Sequence, residues 1–143
     1  MTAPRRTREV AIFVYRGDRF LLARRVPTGF WNVIAGQVED GESFDAAAAR
    51  ELLEESGLIA KPMDLELPQT YVIPSDERAL YAPGDTTVAI ECYAVEAPPS
   101  WEPTLNDEHD TYRWCALDEA IALAHWPEMK AGFRQAAARL GIS

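Results

Sequence analysis

The order of β-rich runs and helical segments is the feature of this sequence that most constrains its fold. Two apolar runs, residues 9–15 and Arg19–Arg25, flank the tripeptide Arg16-Gly17-Asp18, and this pattern predicts a β-hairpin. Further strands are predicted at residues 31–35, 65–73, 87–95 and 112–116, and helices at residues 43–56, 118–125 and 127–140. Strands interleaved with a few helices indicate an α/β fold, with helices packed on a mixed β-sheet.

Length and composition predict one globular domain over residues 1–143. Hydrophobic residues make up 48% of the chain and charged residues 26%, which are ordinary globular values. No apolar run approaches the ~20 residues of a membrane span, and the first residues lack the apolar core of a secretory signal. Cys92 and Cys115 lie in strand-like runs and show neither disulfide nor metal spacing. We therefore expect a cytoplasmic protein without a membrane partner, in which residues 1–7 form a loose arm.

The distribution of charge limits the partners of the chain. Its net charge of −9 disfavours nonspecific binding to nucleic acid polymers or anionic membranes. Residues 1–25, however, contain seven arginines and only two acidic residues, a net +5. An acidic protein can hold an anionic substrate only when a metal cation or a local arginine cluster lies between them. The charge therefore argues against an enzyme that processes RNA ends.

The helix of residues 43–56 carries the clearest chemical signal. Ser43 is typical of an N-cap and Gly57 of a residue that ends a helix. On a helical wheel, one face is expected to pack on the sheet and consists of Ala46, Ala49, Leu52 and Leu53. Glu51, Glu54 and Glu55 form a different arc and point together. These carboxylates repel one another, and a divalent cation such as Mg²⁺ relieves the repulsion. The alternative interpretation is a solvated acidic helix face.

Residues 36–58, GQVEDGESFDAAAARELLEESGL, resemble the Nudix box. Every constrained position of that motif is matched, by Gly36, Glu42, Arg50, Glu51, Leu52, Glu54, Glu55, Gly57 and Leu58. The resemblance implies an α/β/α sandwich and a hydrolase of nucleoside diphosphates linked to another group. It also implies that Glu51, Glu54 and Glu55 ligate Mg²⁺ or Mn²⁺ with help from the Gly36 carbonyl. Arg50 and Glu42 would form the ion pair that orients these ligands.

Several features outside the box resemble one bacterial branch of the family, whose substrate is dihydroneopterin triphosphate. They are Ala23-Arg24-Arg25, Phe30-Trp31, Tyr81-Ala82-Pro83-Gly84, and Glu108-His109 followed by Tyr112-Arg113-Trp114. The chain has Ala35-Gly36-Gln37 where many members have Pro-Gly-Gly, which weakens an assignment to the sanitation of mutated nucleotides. The implied reaction yields a monophosphate and pyrophosphate. A purine dNTP substrate, a housecleaning pyrophosphatase such as an 8-oxo-dGTP hydrolase, and a non-catalytic nucleotide-sensing module remain as alternatives.

Candidate site residues also lie outside the box. Arg24 and Arg25 are adjacent strand residues, so at most one of them readily faces a phosphate. The residues expected to contact the substrate ring are Phe30, Trp31 and Tyr81. Glu108 matches the distal carboxylate of the family, with a catalytic or metal-binding role, although a solvated loop residue is the alternative. His109 and His125 are expected at the surface or at helix ends. We expect a small phosphorylated substrate and a monomer or homodimer.

Overall fold

The computed structural model describes residues 3–143, which form a seven-stranded sheet between helices. The strands are β1 (Arg8–Arg16), β2 (Arg19–Arg25), β3 (Trp31–Asn32), β4 (Ile34–Gln37), β5 (Met63–Val72), β6 (Thr87–Glu96) and β7 (His109–Cys115). The helices are α1 (Phe44–Ser56), α2 (Leu117–Leu123) and α3 (Pro127–Leu140), with a 3₁₀ helix at Ser75–Leu80. Within the described residues, no helix has the length and apolar character needed to cross a membrane.

The sheet is mixed, and β1 and β2 separate from each other along most of their length. Its order is β3-β2-β1-β6-β5, with β4 paired to β1 and β7 paired to β2. β1 and β6 are parallel, whereas the other neighbours are antiparallel. β1 and β2 pair only next to their turn, at Tyr15 with Phe20 and Arg16 with Arg19. Beyond that point β4 pairs with β1 and β7 pairs with β2, so the two halves of the sheet diverge.

Alternation along β1 divides the core into two layers. Val10, Ile12 and Val14 pack with the α1 residues Ala47, Ala48 and Leu52. On the opposite face, Ala11 and Phe13 pack with the α3 residues Phe133, Ala136 and Ala137. Adjacent strand residues point to opposite faces, so a single central strand contributes to both layers. The expected α/β/α sandwich with a mixed sheet is confirmed.

Some local predictions were wrong. The strand predicted at residues 31–35 is divided at Val33 into β3 and β4, which pair with different neighbours. Gln37 was assigned to a loop but ends β4, where its partner is Glu9. The last strand begins at His109, three residues before its predicted start. α2 begins at Leu117 and ends at Leu123, so Asp118 lies inside its first turn and does not cap it.

The N-terminal arm is also more ordered than predicted. The Arg5 N–H donates to the Leu80 carbonyl over 2.7 Å, and the Arg6 N–H donates to Gln37 Oε1 over 3.1 Å. Arg5 also forms an isolated β-bridge with Tyr81. These bonds attach Arg5 to the end of the 3₁₀ helix and Arg6 to the end of β4, so the prediction of a loose arm is wrong for these two residues. Residues 1 and 2 lie outside the described part of the chain.

Candidate active site

The helix α1, which carries the three glutamates, has a defined cap at each end. Ser43 Oγ accepts the Ala46 N–H over 3.1 Å, and Gly57 ends the helix in the left-handed region at φ 80°. A side chain at such a φ is strained, so glycine suits this position. Both predicted helix ends are therefore confirmed.

The rotation of α1 differs from the helical-wheel prediction. Its buried residues are Ala47, Ala48, Glu51, Leu52, Glu55 and Ser56. Leu53 was expected to pack on the sheet but is 48% exposed. Glu51 and Glu55, in contrast, are only 8% and 1% exposed, while the Glu54 side chain is half exposed. The helix thus turns two carboxylates toward β4 and β7, because tertiary contacts override its apolar pattern.

Gly36 on β4 makes room for one of these carboxylates. A Cβ built at Gly36 would overlap the carboxylate of Glu51. Gly36 is therefore a close-approach glycine, which lets the helix side chain lie directly against the strand backbone. The Gly36 carbonyl, which the resemblance suggests as a further cation ligand, is part of this same stretch of β4.

Arg50 organises the outer carboxylates. Its guanidinium donates to both Glu42 oxygens, over 2.7 and 2.9 Å, and to the Gln37 carbonyl over 2.9 Å. It also donates to Glu51 Oε1 over 2.9 Å and to Glu54 Oε2 over 3.2 Å. The hydrogen bonds from Arg50 lower the pKa of Glu42 to about 2. Such a bidentate pair is rigid, so Arg50 can orient Glu51 and Glu54.

Glu55 is the most deeply buried carboxyl of the site. Burial raises its pKa first, and the neighbouring Glu51 and Glu108 add to the effect, while Arg25 opposes it. Within residues 3–143, Glu55 Oε2 has no hydrogen-bond partner. A buried carboxylate without a partner is costly, and a bound cation is one way to satisfy it.

His109 lies next to Glu55, which corrects its predicted surface position. It is 6% exposed, and its Nε2 is 3.8 Å from Glu55 Oε1. Burial and the charge of Arg25 lower the pKa of His109. The apolar run at residues 112–116 gave no signal for this burial, because β7 extends beyond that run to begin at His109.

The two candidate arginines occupy different environments. Arg24 makes a bidentate pair with Asp110, over 2.9 and 2.7 Å. Arg25 is near enough to Glu55 to lower its pKa. Arg25 is therefore the arginine beside the buried carboxylates. Glu108 is exposed and near Glu55, and its N–H donates to Asn106 Oδ1 over 3.1 Å.

The donor set fits a hard divalent cation. Among the described residues, no three acidic, histidine or cysteine side chains already converge as a metal cluster. Arg50 engages one oxygen of Glu51 and one of Glu54, which leaves the second oxygen of each. Together with the unpartnered Oε2 of Glu55 and the Gly36 backbone, these are oxygen donors of the kind that Mg²⁺ and Mn²⁺ prefer.

The candidate ring-binding residues are not all brought together. Phe30 stacks on His125 with ring centroids 3.5 Å apart, and Trp126 meets Phe30 edge-on at 5.7 Å. Trp31 instead packs on the core, with the Arg113 guanidinium 5.7 Å from its ring centroid. His125 and Trp126 were not among the predicted ring contacts, and no spacing links them to Phe30, because the contact joins residues 95 positions apart.

Tyr81 does not fit its predicted role. It is 6% exposed and packs with Ile73 and Val88 in a small cluster of its own. Its ring is therefore covered by this protein's own side chains, and this burial does not agree with the predicted contact between Tyr81 and a substrate ring. The turn-rich loop sequence could not reveal this cluster, because Ile73 and Val88 lie on either side of that loop.

The family model of the NUDIX domain matches residues 5–136, and the chain belongs to this family. Its members are hydrolases that act on phosphorus-containing anhydrides. Members act on small phosphorylated substrates and generally use divalent metals.

Three relatives illustrate the range of the family. The chain is 31% identical to the dihydroneopterin triphosphate diphosphatase of Escherichia coli, over 80% of this chain and 81% of that protein. The solved structure of that E. coli enzyme has a TM-score of 0.83 at 26% identity, covering 94% of this chain and 97% of the other. A rat asymmetrical bis(5'-nucleosyl)-tetraphosphatase is 33% identical over 73% of this chain and 68% of its own length. An octanoyltransferase of Myxococcus xanthus is 38% identical over 82% of this chain, which spans 32% of that longer relative.

Proposed function

We propose that this protein hydrolyses a Mg²⁺-bound triphosphate carrying a flat bicyclic ring, and that dihydroneopterin triphosphate is the leading substrate. The products would be a monophosphate and pyrophosphate. The hydrolase class follows from the match to the NUDIX domain, and the single observation that carries the cation site is the buried Glu55 oxygen next to Glu51, whose carboxylate lies against Gly36. The substrate assignment is supported by the likeness to the E. coli enzyme in both sequence and fold.

The proposed roles follow from the position of each side chain. Glu51, Glu54 and Glu55 would hold the cation, and Arg50 with Glu42 would keep them oriented. The cation, Mg²⁺ or Mn²⁺, would neutralise phosphate charge and lower the pKa of a bound water.

Other residues would act on the substrate and the water. Arg25 supplies a positive charge next to the carboxylates, where a phosphate oxygen can bind. Glu108 is exposed and near the buried pair, so it can accept the proton of the attacking water or serve as a further ligand. Arg24 would be a structural residue, because its guanidinium is already engaged by Asp110.

The proposed ring site consists of Phe30, His125 and Trp126. The Arg25 N–H donates to the Phe30 carbonyl over 2.8 Å, so the phosphate-binding arginine and the aromatic cluster are adjacent. Trp126 is 44% exposed, and its ring has surface available for stacking. The backbone of Trp31 is joined to this cluster, since the His125 N–H donates to the Trp31 carbonyl.

A substrate panel tests the proposal. Purified protein with Mg²⁺ would be given dihydroneopterin triphosphate, 8-oxo-dGTP, the dNTPs, diadenosine tetraphosphate and ADP-ribose, with pyrophosphate and orthophosphate measured separately. We expect kcat/KM for the pterin to exceed that for any dNTP by about tenfold, a difference of about 1.4 kcal/mol that one stacking contact can supply. The Glu54→Gln variant serves as the inactive control. A dNTP that reacts faster than the pterin would contradict the substrate assignment and leave the hydrolase assignment intact.

A second candidate is the asymmetric cleavage of a dinucleoside tetraphosphate. It is favoured by the rat relative, which is as similar to this chain as the E. coli enzyme. Chromatography of the nucleotide products in the same panel would identify it by a nucleoside triphosphate and a nucleoside monophosphate, with no pyrophosphate released. A housecleaning dNTP pyrophosphatase would instead prefer 8-oxo-dGTP. A non-catalytic sensing module would show no turnover, although the complete carboxylate set argues against it.

A further inference from the structure

A histidine and a glutamate meet in the interior with incomplete hydrogen bonding. The side chains of His109 and Glu55 are 3% and 1% exposed. Their nearest polar atoms, Nε2 and Oε1, are 3.8 Å apart, which is longer than a hydrogen bond. Within residues 3–143, His109 Nδ1 and Glu55 Oε2 lack a donor or acceptor with hydrogen-bond geometry, and the nearest charged neighbour of Glu55 is the carboxyl of Glu51. Buried polar atoms of this kind are rare, and each calls for an explanation.

A β-bulge aims His109 at the helix. β2 and β7 pair Arg24 with Thr111 but Arg25 with His109, so Asp110 is an extra residue on β7. The bidentate bond from Arg24 holds Asp110, and the Val26 N–H donates to the Glu108 carbonyl over 3.0 Å on the other side. Bulges of this kind re-aim side chains next to active sites.

The geometry leaves His109 with unused hydrogen-bonding capacity. An imidazole has two ring nitrogens, and within residues 3–143 the buried Nδ1 has no partner. Glu55 is the carboxylate next to the other nitrogen, Nε2.

We propose that His109 is a positioning residue for Glu55: when a divalent cation binds, the His109 Nε2–H closes the 3.8 Å gap to Glu55 Oε1 and holds the carboxylate in its ligating orientation. This inference rests on the proposed cation site. Carboxylates that ligate metals are themselves commonly oriented by hydrogen bonds from neighbouring groups. His109 would then affect cation affinity through Glu55 and would not itself be a ligand.

Binding of Mn²⁺ alone tests this role without substrate or turnover. Free Mn²⁺ would be measured by electron paramagnetic resonance at one pH, for the wild type, His109→Phe, His109→Gln, Glu55→Gln and the double variant His109→Phe/Glu55→Gln. His109→Phe removes the donor and keeps a ring, and we expect it to raise the Kd at least about tenfold. His109→Gln retains an N–H donor and should stay within about threefold of the wild type. Asp76→Asn, which removes an exposed carboxylate of the 3₁₀ helix, is the control for nonspecific cation binding and should leave the Kd unchanged.

The remaining outcomes separate this inference from the proposed function. We expect the double variant to bind no more weakly than Glu55→Gln, because both changes act on the same ligand. If Glu55→Gln leaves the Kd unchanged, the proposed cation site itself is wrong. If Glu55→Gln weakens binding and His109→Phe does not, only the positioning role is wrong. Should His109→Phe fail to fold, a tenfold loss in His109→Gln would overturn the role, and so would a directly bound ¹⁴N in the electron spin echo spectrum of the wild-type Mn²⁺ protein.

Discussion

The three glutamates of α1 share one motif but differ in burial, and burial gives them different properties. Glu55 is nearly inaccessible, Glu51 lies against Gly36, and Glu54 is half in solvent. Ionising a buried carboxyl is unfavourable. In the cation-free protein, the free-energy cost of ionising the site therefore falls mainly on Glu55. A single sequence pattern therefore produces a deeply buried carboxylate at Glu55, a buried one at Glu51 and a half-exposed one at Glu54.

Glu55→Gln should stabilise the cation-free protein and abolish activity. The pKa of Glu55 is raised in the fold, so its contribution to stability is present below pH 4.5 and is lost as pH rises toward the folded pKa. At pH 8 in EDTA we expect the variant to have a Tm higher by about 3 °C or more. Its Tm should no longer rise on addition of Mg²⁺, and kcat should fall by orders of magnitude. Glu54→Gln, at an exposed position, should lose turnover with little change in Tm, and equal Tm shifts in the two variants would contradict this assignment.

Glu42 should contribute a distinct acid dependence. Its pKa is lowered from 4.5 to about 2 by Arg50, so its contribution to stability is present above pH 4.5 and is lost as pH falls toward 2. The free energy of unfolding of Glu42→Gln should therefore be lower than that of the wild type at pH 7, and the difference should narrow between pH 4.5 and 2. Urea unfolding across this range provides the measurement. Asp40→Asn removes an exposed pair with Arg6 and should show no such trend; a parallel trend would indicate bulk charge.

At the scale of elements, the site is made by the close approach of α1 to β4 and by the bulge in β7. The approach depends on Gly36, whose missing side chain leaves the volume that Glu51 occupies. The bulge determines which residues of β7 face the helix. Both features position side chains that neither element could place alone.

Gly36→Ala should displace Glu51 while preserving the fold. The added Cβ meets the far end of a flexible side chain, so the carboxylate can move while the backbone stays in place. We expect a Tm within about 4 °C of the wild type, about 1 kcal/mol for a chain of this size, and a large loss of Mn²⁺ affinity and kcat. In a Glu51→Ala background, where the carboxylate is absent, the same change should have little further effect on affinity. An additive loss there would show that Gly36 acts independently of Glu51.

At the scale of the whole molecule, a charged group of side chains and an aromatic cluster lie side by side. The carboxylates and Arg25 lie on the α1 side, and the Phe30–His125–Trp126 cluster follows directly from the end of β2. A molecule with a charged chain and a flat ring matches this arrangement. The net charge of −9 is the reason that we expect such a substrate to bind together with a cation.

Two tryptophans should separate ring recognition from stability. Trp126→Ala should reduce the ratio of kcat/KM between the preferred substrate and the dNTPs, because we propose that its exposed ring stacks on the substrate. Its Tm should change little. Trp31→Ala should lower the Tm, since Trp31 packs on the core cluster. A uniform loss of rate for all substrates in Trp126→Ala would contradict the stacking role.

The element order, both ends of α1 and the carboxylate set could be predicted from the sequence because each depends on local chemistry. Ser43 and Gly57 act on their own helix ends, and the turn at Gly17 joins adjacent strands. The spacing from Glu42 to Arg50 to Glu54 places these side chains together on one helix and the turn before it.

Only the tertiary structure decided which of these side chains are buried and which residues join them. The rotation of α1, the burial of His109, the choice of Arg25 over Arg24 and the contact of Phe30 with His125 all depend on residues distant in sequence. Tyr81 is covered because strands on either side of its loop pack around it. Periodicity reports the average polarity of a face, whereas the contacts of the folded chain determine its orientation. A glycine on β4 leaves the space that the Glu51 carboxylate occupies, and one extra residue on β7 accompanies the placement of His109 beside Glu55.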